Sequence, residues 1–169
     1  MNISECTILL AEDDPDAVFL LRRALQKANV KNPIEVARDG QEAIDYLSNQ
    51  GAYADRERYR LPVLMLLDLK MPRKSGFEVL EWLRQQPRLK RLIVVVLTSS
   101  NQVADISRAY DLGGNSYLVK PADFDALIKM TRDISEYWLI LNERPDLQSD
   151  PQPMPLSTQR PACLNEVSP

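Results

Sequence analysis

Three short, unbroken apolar runs constrain this chain most: Thr7–Ala11, Val63–Leu67 and Leu92–Leu97. Each stops abruptly on a polar residue, at Glu12, Asp68 and Thr98. A run of four to eight apolar residues without alternation reads as a strand buried on both faces, the habit of parallel sheets covered by helices. Two weaker runs, Ile34–Ala37 and Ser116–Val119, read as further strands, the second stopping at Lys120-Pro121.

Between the runs the period changes to that of helices. Asp14-Pro15 opens the first, with Asp as N-cap and Pro in the first turn. Val18, Leu21, Leu25 and Ala28 follow at helical spacing, and the helix is expected to end near Asn29. Asp39-Gly40 leads into a second helix with Ala43, Ile44 and Leu47 inward. A third runs from about Ser75, buries Phe77, Val79, Leu80 and Leu83, and stops before Pro87. A fourth, from about Asn101, ends at Gly113-Gly114. The last is expected from about Asp123 to Asn142, with Phe124, Leu127, Ile128, Ile134, Trp138 and Leu141 on one face. Residues 48–61 carry no period and read as an extended loop.

Strand and helix thus alternate five times. That order predicts an α/β fold, a doubly wound five-stranded parallel sheet with helices on both faces and right-handed crossovers. The folded domain is expected over residues 1–143. Beyond it, Pro145, Pro151, Pro153, Pro155, Pro161 and Pro169 stand in a polar stretch, so 144–169 reads as a disordered tail.

Composition removes several function classes. The chain has no histidine, which excludes Ser-His-Asp and Cys-His hydrolases and most catalytic zinc sites. A net charge of −3 gives no reason to expect nucleic acid. No apolar run approaches the roughly 20 residues that span a bilayer, and the first residues do not resemble a signal peptide. Two cysteines imply no disulfide framework, so a cytoplasmic location is expected.

In an open parallel α/β sheet, ligands bind beyond the carboxyl ends of the strands. Those ends are Glu12 and Asp13, Asp68, Thr98 and Lys120, which would share one shallow pocket. Two like charges about 4 Å apart repel by roughly 4 kcal/mol at an effective dielectric of 20. Three carboxylates therefore need positive charge to stay ionised together. Lys120 supplies one, and Mg2+ suits the oxygen donors as a second. Any one of these residues is more often structural. Their arrival together at four strand ends points to phosphoryl transfer onto Asp68, with the cation and the ammonium neutralising the transferring oxygens.

Specific segments carry a family resemblance: Leu10-Ala11-Glu12-Asp13-Asp14, Leu67-Asp68-Leu69-Lys70-Met71-Pro72, Gly76, Leu97-Thr98-Ser99 and Tyr117-Leu118-Val119-Lys120-Pro121. With their spacing they resemble the CheY-like receiver domains of two-component response regulators, over about residues 5–141. The resemblance implies the flavodoxin-like strand order 2-1-3-4-5. It implies Asp68 as phospho-acceptor, Asp13 as a direct magnesium ligand, Glu12 acting through water and the backbone carbonyl of Lys70 as a third protein ligand. Lys120 would pair with the phosphoryl group, and its bond to Pro121 is expected cis. Thr98 and Tyr117 would form the switch pair, the hydroxyl moving toward phosphate while the ring swings inward. Lys70 and Ser100 occupy positions where such domains tune the lifetime of the aspartyl phosphate.

The long loop, the extended last helix and Leu69–Gly76 are also similar to response regulators associated with cyanobacterial phytochromes. The partner implied is a sensor histidine kinase, of phytochrome type on this narrower likeness. Output would pass through protein contacts, with a homodimer through the last two helices and last strand. The alternative is a pseudo-receiver that docks partners without phosphorylation. A haloacid-dehalogenase-like phosphatase is disfavoured because Lys70 stands where such enzymes place a second Asp. A flavodoxin or Rossmann domain is disfavoured because no Gly-rich loop follows the first strand. No enzymatic turnover is expected beyond self-phosphorylation and dephosphorylation.

Overall fold

The computed structural model describes residues 5–143 and Leu147. The strands are β1 (Ile8–Ala11), β2 (Ile34–Ala37), β3 (Leu64–Leu67), β4 (Val94–Thr98) and β5 (Ser116–Val119). The helices are α1 (Pro15–Lys27), α2 (Gly40–Ser48), α3 (Gly76–Gln85), α4 (Val103–Asp111) and α5 (Phe124–Ser135). All strand pairs are parallel, and the order is β2-β1-β3-β4-β5, as expected.

The unbroken apolar runs are explained by two cores, one on each face. On one face Leu9, Ala11, Met65, Leu67, Val94 and Val96 meet α2, α3 and Ala109 of α4. On the other, Ile8, Leu10, Leu64, Leu66, Val95 and Leu97 meet α1 and α5. Alternate residues of one strand thus go to opposite cores. The helices start where their caps direct. Asp14, Asp39 and Asp123 each accept a main-chain amide from the first turn, and Ser75 with Glu78 forms a capping box.

Two expectations on the chain's course are corrected. Residues 48–61 are not merely extended. Gly51–Tyr53 forms a 3-10 turn, and Tyr53 and Tyr59 pack on Tyr46 of α2, with ring centroids 5.2 and 6.0 Å away. Arg56 donates to the carbonyls of Tyr46 and Leu47 in the last turn of α2 and to that of Tyr59, which ties the loop to the helix end. The last helix does not stay α-helical to Asn142. From Glu136 to Leu141 it widens into a π-helix, whose extra residue per turn rotates the buried face. Leu139 is therefore buried, while Leu141, expected inside, is 66% exposed.

Among the described residues no helix is long and apolar enough to cross a membrane. The expected tail, 144–169, lies outside the described residues except Leu147, which packs half-buried against the α2–α3 core.

Candidate functional site

The register brings the ends of β1, β2 and β3 level, and β4 and β5 run two residues beyond them. Ala11 pairs with Ala37 and Leu67, and Thr98 pairs with Val119. Main-chain bonds continue one residue beyond: Glu12 N to Ala37 O (2.9 Å), Asp68 N to Ala11 O (2.9 Å) and Lys120 N to Thr98 O (2.8 Å). The residues after the apolar runs are thereby fixed by the sheet itself.

The structure gathers Glu12, Asp13 and Asp68 so that one ligand oxygen from each lies within 4.8 Å of the others. Glu12 and Asp68 are buried and Asp13 is exposed. Lys120 reaches in from the end of β5, its Nζ 2.5 Å from Glu12 Oε2 and 3.4 Å from Asp68 Oδ1. The other oxygen of Glu12 accepts the Asp14 amide at 3.3 Å. Burial pushes the Glu12 carboxyl above its ordinary range, and the Lys120 ammonium offsets only part of that rise. Two buried acids, one exposed acid and one ammonium leave negative charge in excess. Hard oxygen donors so arranged suit a divalent cation.

Lys70 is exposed, but its main chain belongs to the cluster, with the amide donating to Asp68 Oδ2 at 3.0 Å. Thr98 is fully buried at the end of β4, and its Oγ1 accepts the Ser100 amide in a long 3.5 Å contact. Tyr117 lies beside it on β5, in register with Val96. Its ring packs against the α3–α4 core, and its hydroxyl donates to Ser100 O at 3.0 Å. That burial raises the phenol's pKa. The two expected switch residues thus converge on one loop, between β4 and α4. Sequence reading missed Asp105, whose Oδ2 accepts the Ser100 hydroxyl at 2.5 Å and holds the same loop from α4. A Ser-to-Asp spacing of five carried no signal of its own.

The Lys120–Pro121 bond is trans, not cis as the resemblance implied. Trans is the lower-energy isomer before proline by about 0.5–1 kcal/mol, and the Lys120 side chain reaches both acids from it.

Known proteins resemble this chain in sequence and in fold. Residues 8–132 match the response regulator receiver domain family. The chain is 40% identical over 139 residues to the probable methanogenesis regulatory protein FilR2 of Methanothrix harundinacea, covering 82% of this chain and 86% of that protein. It is 39% identical over 132 residues to response regulator Rcp1 of Synechocystis sp., covering 78% and 88%. Its fold is similar to the crystal structure of phosphorylated RcpA, a cyanobacterial phytochrome response regulator, with a TM-score of 0.78 and 38% identity over 84% of this chain and 99% of that one. The Mn2+-bound form of Rcp1 is similar at a TM-score of 0.75, with 38% identity over 83% and 99%. The chain belongs to the response regulator receiver domain family.

Proposed function

We propose that Asp68 accepts a phosphoryl group from the phosphohistidine of a sensor kinase, and that the resulting charge is read by partner proteins. The observation that carries this reading is Lys120 joining the buried Glu12 and Asp68 carboxylates beside Asp13. An Asp68 oxygen attacks phosphorus, a P–O bond forms, the P–N bond to the donor imidazole breaks, and the imidazole leaves with a proton. Lys120 then pairs with the new phosphoryl oxygens in place of part of its bond to Asp68. Asp13, Asp68, the Lys70 carbonyl and, through water, Glu12 would hold Mg2+, which neutralises charge on the transferring oxygens. Thr98 gives its hydroxyl to a phosphoryl oxygen, and Tyr117 follows through the Ser100 loop. A phosphoryl group carries about −1.5 to −2 charges at neutral pH, enough to bias such a loop.

The kinase we propose is of phytochrome type, by likeness to the phytochrome response regulator RcpA. We also propose a homodimer through α4, β5 and α5, because Val103, Tyr110, Val119, Tyr137 and Ile140 leave an exposed apolar face there. A docking module indifferent to phosphorylation is disfavoured, because docking needs neither the Glu12, Asp13 and Asp68 cluster nor Lys120 reaching into it beside Thr98.

Intact mass after treatment with acetyl phosphate tests the reading. One phosphoryl addition is expected with magnesium, and none with EDTA or in Asp68→Asn. An unmodified wild-type chain, where a control receiver is modified, would overturn it.

A further inference from the structure

The loop between β3 and α3 is pinned to the start of α2 by a pair of residues 34 positions apart. Asp39 divides its carboxylate. Oδ1 caps α2 by accepting the Glu42 amide at 2.8 Å, while Oδ2 takes both Nε (2.7 Å) and a terminal nitrogen (2.6 Å) of Arg73. Gly40 makes the approach possible, since a Cβ there would collide with the Lys74 carbonyl.

Arg73 holds a φ of +61°, and the Lys74 amide donates to Pro72 O across it at 2.7 Å. A side chain bearing a Cβ adopts such a tight left-handed turn at a cost on the order of 1–3 kcal/mol, so something outside the turn must hold it. The Asp39 carboxylate is positioned to do so. At the other end of the loop, Gly76 sits against the Asp68 carbonyl so closely that a Cβ would collide with it. Between these anchors run the buried Leu69 and Met71, and the Lys70 amide bonded to Asp68.

The α2 end of this bridge is itself braced. Glu42 accepts the Arg38 amide at 2.6 Å and the Tyr53 hydroxyl at 2.5 Å, which ties it to the aromatic cluster of the long loop.

We propose that Asp39 and Arg73 are positioning residues for divalent-cation capture, keeping the Lys70 main chain beside the Asp68 carboxylate before the ion arrives. The proposal rests on the reading of Glu12, Asp13 and Asp68 as a cation site. A loop already ordered surrenders no conformational freedom on binding, so releasing it weakens the cation more than it weakens the fold. Outer residues that orient metal ligands typically change affinity about 10- to 100-fold. This pair acts through a loop and not on a ligand side chain, so a loss of about three- to tenfold is expected.

The test is Mn2+ and Mg2+ titration by calorimetry on the full chain and on Arg73→Gln, Asp39→Ser and the double variant, with melting temperatures in EDTA. Serine retains the cap of α2 but not the second oxygen, and the Arg73 side chain is 57% exposed, so its loss does not threaten folding. Each single variant is expected to bind Mn2+ about three- to tenfold more weakly with little change of melting temperature in EDTA. The double variant should be no weaker than the weaker single. Affinities equal to wild type, losses that add in the double variant, or a lowered melting temperature with unchanged affinity would each overturn the proposal. A wild-type chain that binds neither ion would overturn the cation site itself, an outcome distinct from any of these.

Discussion

The Lys120 ammonium lies 2.5 Å from Glu12 Oε2, closer than the 3.4 Å that separates it from Asp68. Before any phosphoryl group arrives, its main partner is therefore the buried acid that follows β1 and not the proposed acceptor. Lys120→Met leaves Glu12 buried without its cation. Breaking a buried pair typically costs about 3–5 kcal/mol, and this lysine's partial exposure puts the expected loss at the low end. Glu12→Gln in the Lys120→Met background should recover part of it, because the stranded charge is gone. Urea unfolding of the two singles and the double checks this. A double variant no more stable than Lys120→Met would show that a stranded Glu12 charge is not what destabilises that variant.

Arg84 of α3 spends its guanidinium on main-chain acceptors. It donates to Gly113 O, to Lys90 O at 2.8 Å and to Leu92 O at 2.9 Å, and also to Asn115 Oδ1, which itself accepts the Val94 amide. It thus ties the turn after α4 to the start of β4, and burial lowers its pKa. Arg84→Met is expected to cost roughly 3 kcal/mol, since hydrogen bonds to a charged group contribute about 1.5–3 kcal/mol each and several acceptors lose theirs together. Arg84→Lys should recover less than half, because an ammonium lacks the planar fork that reaches both loops. The measurement is the urea midpoint at unchanged slope, and a Lys variant equal to wild type would refute the argument from geometry.

The three central strands and the residues that end them were readable in the sequence because burial on both faces writes itself as unbroken apolar runs, whereas the edge strands β2 and β5 are only partly buried and gave weaker runs. What stayed hidden depends on partners far apart in sequence. Tyr46, Tyr53 and Tyr59 follow no period and meet only because Gly51, at φ +57°, turns the loop back onto α2. Arg73 and Asp39 belong to different connections and meet only once α2 and α3 pack side by side. The π-helix at Glu136–Leu141 was invisible for another reason. Apolar spacing that fits an α-helix fits a slightly wider one for a single turn, so Leu139 and Leu141 exchanged places.

The same tyrosines give the protein an alkaline limit. Burial pushes Tyr46 up to about 12, and burial with the nearby Glu42 carboxylate raises Tyr53 as well. Both stay neutral in the fold where unfolded tyrosine, near 10, ionises. The folded state then holds more protons than the unfolded one, so stability is full below about pH 10 and falls as pH rises toward 12. Phenolate absorbance of the folded protein should show a delayed, cooperative step that carries Tyr46 and Tyr53. Tyr53→Phe should reduce the delayed amplitude. Six tyrosines titrating together near 10 in the folded protein would contradict the packing.

The proposed homodimer through the last strand and helices rests on apolar side chains that the chain itself leaves exposed. Ile140 is 69% exposed, Tyr137 54% and Val119 40%, and Tyr137 also lines a groove of about 510 Å³ between β5 and α5 with Leu118, Pro121, Met130 and Trp138. The π-turn sends Ile140 and Leu141 outward together, a register that a second copy can cover. Sedimentation velocity is expected to show a dimer, favoured further by acetyl phosphate with magnesium. Ile140→Asp and Val119→Asp should give monomers with melting temperatures close to wild type measured as monomer, since neither side chain is buried within the chain. Monomeric wild type in both conditions would refute the dimer, and so would dimers that survive both substitutions.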